Sequence, residues 1–238
     1  KERYSVHNLW IDSKNLKDFG IIVSGENTFN TAEIEYETVS VPGRNGDLLV
    51  RKNRMKNINV SYPAFILSDF SKNASNARAY LMANTSYRRI EDDYHTDTFR
   101  LGFFSGPMDF TTRFLNRSGE TNIVFNCKPQ RFFKSGEYPI SFSASGNLYN
   151  FGFPALPIIK VSGNGSGMLR IGEYSVQFKN IEEYVMLDCD TQNAYKGTEN
   201  KNNTISADTF PKLEYGENQI GWSGGITGIE ITPRWWTL

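Results

Sequence analysis

Period-two alternation, cut repeatedly by turn formers, governs what this chain can build. Apolar and polar residues alternate from Ala32 through Val41 with little interruption, and they alternate again from Lys56 through Ile66. A strand sends successive side chains to opposite faces, so this pattern makes one face wet and the other dry. Between the two runs lies Pro42-Gly-Arg-Asn-Gly-Asp47, a turn-former cluster containing Asn-Gly, after which Leu48–Arg51 resumes the apolar pattern. Strand-like runs joined through such a turn predict a β-hairpin or a longer, projecting β-arm. Composition agrees, since 17 Phe, 12 Tyr and 20 Gly against 5 Met suit pleated surfaces joined by turns.

One segment departs from this pattern. Phe70, Ala74, Ala77 and Leu81 recur at helical spacing and predict a single substantial helix over residues 68–83. Ser68, Asp69 or Ser71 is its candidate N-cap, and Asn84-Thr-Ser86 ends it. Further strand-like runs follow at Phe99–Phe104 and Asn122–Cys127, so the first half reads as a sheet with a helix packed on it. From Lys134-Ser-Gly-Glu137 onward the helical period disappears. Runs at Phe153–Val161, Met168–Ile171, Ser175–Phe178, Tyr184–Asp188, Gln219–Trp222 and Ile226–Ile231 are spaced as in a β-sandwich. Two domains are expected, 1–134 and 135–238.

The chain carries 26 basic and 26 acidic side chains, a formal net charge of zero, which argues against general nucleic-acid binding. That neutrality is a cancellation. Residues 1–134 hold 19 basic and 15 acidic groups, while residues 135–238 hold 7 and 11, so the halves carry +4 and −4. No window approaches the ~18 to 20 apolar residues of a membrane span, and Lys1–Ser5 has no apolar signal-peptide core. A soluble, non-secreted chain is expected. Cys127 and Cys189, each in an apolar alternating run, read as buried free thiols of a reducing compartment.

A search for chemistry returns little. His7 and His95 have no Cys or second His at zinc-ligand spacing, and no Gly-x-Ser-x-Gly elbow is backed by a helix. Gly163-Asn-Gly-Ser-Gly167 lacks the Lys-Ser/Thr of a phosphate loop and reads as a turn. Asp188 with Asp190, Glu182-Glu183 and Asp92-Asp93 are the carboxylate pairs a glycosidase would need, at spacings common on any surface. Asp188-Cys-Asp190 also lacks the dense oxygen set that calcium prefers. Neither metal nor cofactor is expected, and no catalytic residue is assigned. Among the tryptophans, Trp222 reads as sandwich core. Trp235 and Trp236 would face opposite ways in an extended chain, leaving one to stack on a sugar or anchor a partner.

Several segments taken together resemble the Dit family, the distal tail proteins of long-tailed, non-contractile bacteriophages. In the first half these are Val41-Pro-Gly-Arg-Asn-Gly-Asp-Leu-Leu49, Tyr87-Arg-Arg-Ile90 and Val124-Phe-Asn-Cys-Lys-Pro129. In the second they are Phe153-Pro-Ala-Leu-Pro-Ile158, Phe210-Pro-Lys-Leu213, Gly216-Glu-Asn-Gln-Ile220 and Ile229-Glu-Ile-Thr-Pro-Arg234. Each fragment is short, but their order runs along nearly the whole chain. The resemblance implies a mainly β protein with one helix: an N-terminal ring-forming β-domain with a hairpin arm, and a C-terminal galectin-like β-sandwich. It also implies a non-enzymatic hub at the virion tail tip, assembled in the host cytoplasm as a homo-hexamer. Its partners would be the tail tube protein, a tail-associated lysin or fibre, and a baseplate or receptor-binding protein. Phage DNA would only pass through the channel.

Arg44, Asn45, Gly46 and Asp47 become candidate subunit contacts, alongside the plain reading of a tight turn that needs glycine. Trp235 and Trp236 become candidate partner contacts. The second half contains no histidine, which the galectin carbohydrate motif uses, so sugar binding by that route is not expected. A carbohydrate-binding adhesion module for host cell-wall saccharide remains the competing function, and a cell-wall hydrolase rests only on scattered carboxylates.

Overall fold

The computed structural model describes residues 7–25 and 30–238. The Lys1–Ser5 stretch lies outside them. The chain divides into two compact units, residues 1–131 with Leu238, and residues 132–237.

The first unit contains β1 (Leu9–Ile11), β2 (Lys14–Asn15), β3 (Ile21–Val23), β4 (Ile34–Val39), β5 (Leu48–Met55) and β6 (Ile58–Ile66). These are followed by α1 (Phe70–Met82), β7 (Arg88–Asp92), β8 (Thr98–Phe104), β9 (Thr111–Arg113) and the long β10 (Ser118–Phe133). Its main sheet runs β2-β1-β7-β8-β10-β6-β3, with β9 added on β10. A bridge in which the His7 N–H donates to the Val23 carbonyl at 2.9 Å brings β3 beside the segment leading into β1, so the sheet curls back on itself. Alternation explains the core. In β6 the inward set Ile58, Val60, Tyr62, Ala64 and Ile66 is buried, and it meets Ile123, Phe125 and Cys127 of β10. Each such aliphatic or aromatic side chain contributes about 1.5–3 kcal/mol when taken fully out of water.

The expected helix is α1, which presents Ala74, Ala77 and Leu81 to this core. Phe70, partly buried, packs edge-on against Phe110 at 5.1 Å between ring centres. Asp69 occupies the N-cap position in a left-handed conformation, but its side chain makes no capping bond. Asn73 donates its backbone N–H to Asp69 O, the first helical bond, and its side-chain amide to Ser68 O, which ties the entering chain to the first turn.

The second unit contains β11 (Ile140–Phe142), β12 (Gly146–Asn150), β13 (Ile158–Ile171), β14 (Tyr174–Asp188), β15 (Asn193–Lys196), β16 (Glu199–Asn200), β17 (Ile205–Ser206), β18 (Gly216–Thr232) and β19 (Trp236–Thr237). The runs expected at 168–171, 175–178 and 219–222 are not separate strands. They are the far ends of the long strands β13, β14 and β18, which pair β18-β13-β14 along most of their length. Gly163–Gly167, expected to be a turn, is the bend in β13, where pairing continues through register shifts. Glycine is required there because two backbones nearly touch. A Cβ on Gly225 would overlap Asn164 O, and one on Gly163 would overlap Gly225 O. Bent strands let one sheet fold over its own apolar face, forming the expected β-sandwich around Phe178, Ile159, Val161, Leu169, Leu187 and Ile231.

Two buried amides stitch the loops to this core. Asn150 donates to Phe153 O and Leu213 O, both at 2.9 Å, and Asn218 donates to Glu214 O while accepting from the Glu214 N–H. Buried amides are tolerated only when so satisfied. Among the described residues no helix is long and apolar enough to cross a membrane.

Candidate assembly surface

β4 and β5 form a two-stranded sheet of their own, paired with no other strand among the described residues. Tyr36 lies across from Arg51, Glu37 from Val50, Thr38 from Leu49 and Val39 from Leu48. With six residues at about 3.3 Å each, β4 gives the arm a length of roughly 20 Å. Three ion pairs line its root: Glu33 with Lys56 at 3.3 Å, Glu35 with Arg54, and Glu37 with Lys52 at 3.4 Å. The Arg54 hydrogen bond holds the Glu35 carboxyl below its ordinary range, although burial pushes the other way, and the charges of Arg54, Lys52 and Lys56 add to the lowering. Such exposed pairs set register more than they stabilise. The Asn30 amide, donating to Asn59 O at 2.9 Å, ties the root to β6.

Beyond the root the arm is apolar yet uncovered. Tyr36, Val39, Val41, Leu48, Leu49 and Val50 are all exposed, Leu49 at 60 %. Among the described residues, the first unit's core takes no fully buried hydrophobic side chain from between Val23 and Ile58. The candidate residues Arg44, Asn45, Gly46 and Asp47 form the exposed tip, where Gly43 and Gly46 adopt left-handed φ of 80° and 83° and the Arg44 N–H donates to Val41 O at 3.2 Å. Among the described residues the Arg44 and Asp47 side chains have no polar partner. Sequence reasoning singled out this tip. It did not single out the strand residues behind it, because alternation signals a dry face without saying that the face is dry only after another molecule covers it. Phe114 and Leu115, at the exposed β9–β10 tip, were also missed.

The tryptophan candidates are packed. Both Trp235 and Trp236 are half-buried against the second unit's core, and Trp236 stacks on Phe153 at 4.7 Å while its indole N–H donates to Pro154 O. Trp222 packs partly buried against the same core.

Both histidines and most of the carboxylates singled out by the sequence are engaged in structure. Asp93 accepts from Asn8 through both N–H and amide, at 2.8 Å each, and pairs with His7 Nδ1 at 2.9 Å. Burial raises its carboxyl, but these donors outweigh burial and leave it below the ordinary value. His95 pairs with Asp92 at 3.2 Å within a turn. Asp188 is held by Arg234 at 2.8 Å, Glu183 by Lys196 at 3.1 Å, and Glu182 by Lys201 at 3.9 Å. Among the described residues no cluster of three His, Cys, Asp or Glu is placed to hold a metal. Cys127 and Cys189 are buried thiols outside any disulfide.

No family model and no curated protein matches the sequence. The architecture, two curled β units of which the first carries one helix and a free hairpin, is nonetheless a known one. Its representative is the crystal structure of SPP1 Dit (gp 19.1), described as a paradigm of hub adsorption apparatus in Gram-positive infecting phages. That chain matches with a TM-score of 0.74 and 10 % identity, over 95 % of this chain and 98 % of its own length. Chains of the phage p2 baseplate in its activated conformation, with Sr and with Ca, align at TM-scores of 0.49 and 0.46 and identities of 9 % and 7 %. Each pairing covers 95 % of this chain and 97 % of the other. The score of 0.74 shows that the two chains share a fold.

Proposed function

We propose that this chain is the structural hub of a phage tail tip. In this reading residues 1–134 close as a hexameric ring, and the sandwich at 135–238 holds peripheral proteins. The observation that carries it is the arm, an exposed apolar hairpin that contributes no buried residue to its own core and belongs to a chain with a hub fold from end to end. Patches of this kind mark association surfaces. The hub joins the tail tube protein on one side to a tail-associated lysin or fibre on the other, with a baseplate or receptor-binding protein held outside. DNA passes through the central channel without specific binding. The protein has no catalytic role, and it acts at the virion tail tip after assembly in the bacterial cytoplasm. Light scattering tests this. A species near six times 27.1 kDa, forming as concentration rises, supports the reading; a monomer that also fails to capture tail-tip partners refutes it.

A second reading, binding of host cell-wall saccharide, is favoured by one observation. Phe151, 84 % exposed, and Tyr215 flank an open cleft of about 370 Å³, with Tyr149 4.5 Å from Phe151. Exposed rings of this kind can stack on sugar faces. Glycan arrays decide it: binding lost in Phe151→Ala supports the reading, and no binding to any cell-wall saccharide refutes it.

A further inference from the structure

The second unit's sandwich carries aromatic side chains that its core does not use. Tyr149, Phe151 and Tyr215 are all exposed, and none packs in the cluster around Phe178. Phe151 and Tyr215 line the open cleft of about 370 Å³ together with Phe153, Pro154 and Thr237. Its walls are held from below. The Gly152 N–H donates to the buried Asn150 side chain at 2.8 Å and the Phe153 N–H to Trp236 O at 3.1 Å, while the Phe153 ring stacks on Trp236. The Tyr149 ring, 4.5 Å from Phe151, extends the apolar surface beyond the cleft. A volume near the low end of the ~300–1,000 Å³ spanned by small-molecule sites suits one sugar unit better than a folded partner.

Carboxylates border these rings. Glu217 is the cross-strand partner of Tyr149 on the β12–β18 ladder, so the two side chains leave the same face with Cβ atoms about 5 Å apart. Glu214 precedes Tyr215 in the chain. Both are held by neutral donors, Glu217 by the Asn147 amide and Glu214 by the Tyr174 hydroxyl at 2.7 Å. Among the described residues neither pairs with a Lys or Arg, whereas Asp188, Glu182 and Glu183 of the same unit do, so their charge stays uncancelled. The Tyr174 hydroxyl feels this field. It is pushed up to about 12 by burial, by its bond to Glu214 and by the charges of Glu214 and Glu173. An aromatic face beside unneutralised carboxylates attracts a cation, through the ring quadrupole and through charge.

We propose that this cleft binds a saccharide bearing a protonated amino group, a 2-amino sugar whose amine carries no acetyl group. The apolar C–H face of the sugar lies on Phe151 and Tyr215, and its ammonium sits over the Tyr149 ring toward Glu217, with Glu214 adding to the field. This rests on the saccharide reading and names the sugar class. An N-acetylated sugar brings no charge to place beside Glu217, so the same rings hold it less well. A lysine side chain brings the charge without a ring face to stack.

Calorimetric titration of the full chain tests it at mildly acidic pH, where the sugar amine is protonated. The two probes are a chitosan oligosaccharide and its N-acetylated counterpart, a chitin oligosaccharide of the same length. The chitosan probe should bind about fivefold more tightly or better, and the preference should shrink in about 1 M salt. Phe151→Ala should abolish binding of both. Glu217→Gln keeps an acceptor for the Asn147 amide and removes only charge, so it should bring the two affinities close together with an unchanged circular dichroism spectrum. Equal binding, or tighter binding of the chitin probe, overturns the amino-sugar inference and leaves the saccharide reading standing. Chitosan binding that survives Phe151→Ala, or that tri-lysine displaces as readily, is plain charge attraction and overturns it too. If neither probe binds, the inference fails; the saccharide reading fails with it only when no cell-wall saccharide on the glycan arrays binds.

Discussion

Joining Glu37 directly to Val50 through Asn-Gly removes the distal arm and should separate folding from assembly. Glu37 and Val50 are cross-strand partners, so a two-residue turn closes the shortened hairpin in register. The deleted segment holds no buried residue, so no core transfer energy is lost. Shortening the connection from Val23 to Ile58 by ten residues returns about 0.3 kcal/mol of loop entropy. The lost Thr38–Leu49 and Val39–Leu48 pairs are worth about 0.2–1 kcal/mol each. The net change stays near 1 kcal/mol, a Tm shift of about 3 °C. Assembly behaves differently. Leu49, alone on its face among the deleted apolar residues, exposes roughly 110 Å² of apolar surface, worth up to about 3 kcal/mol per contact if fully covered. That corresponds to about two orders of magnitude in dissociation constant. Thermal melts and light scattering on the same samples read both quantities. A Tm drop beyond about 8 °C, or a shortened chain that assembles like the wild type, would falsify the claim that the arm is surplus to the fold and needed by the ring.

Other expectations follow from particular contacts. Gly225→Val forces a side chain into Asn164 O and should cost about 3 kcal/mol or more, read as a lower urea midpoint for the second unit. Burial pushes the Asp188 carboxyl up, but the Arg234 hydrogen bond and charge, with donors from Asp190 and Thr191, outweigh it and hold it below its ordinary value. The resulting stabilisation is present above the unfolded pKa of about 3.9 and is lost as pH falls through the lower folded value. Asp188→Asn should therefore cost about 1.5 kcal/mol at neutral pH and nearly nothing near pH 2; a deficit independent of pH contradicts this. The Cys189 thiol is pushed up to about 12 by burial and by the Asp188 charge, and Cys127 is fully buried. Thiol reagents should label neither until the chain unfolds, so fast labelling in native buffer counts against these positions.

Period-two patterning disclosed the strands of β6 and the arm, and helical spacing disclosed α1, because both patterns are local and tied to burial. The long strands of the second unit were read as pairs of short ones. Gly163–Gly167 and Gly224–Gly225 resemble turn signals, and only the pairing of three strands across both bends shows that hydrogen bonding continues through them. The arm's surface shows a different gap. Alternation at Ile34–Val39 marks an apolar face, but the partner that dries it is not in the same chain segment, so the glycine-bearing tip drew attention ahead of Leu49 and Tyr36. Trp235 and Trp236 show the converse, since their spacing did not disclose that both rest against the second unit's core and that Trp236 stacks on Phe153.

The central claim is that this chain builds a closed ring from arm contacts. Electron-microscopy class averages of the purified protein test it most directly. The account predicts six-fold rings with a central hole in the intact chain and single particles in the arm-shortened one. Compact monomers at every concentration, or rings that persist without the arm, would contradict it.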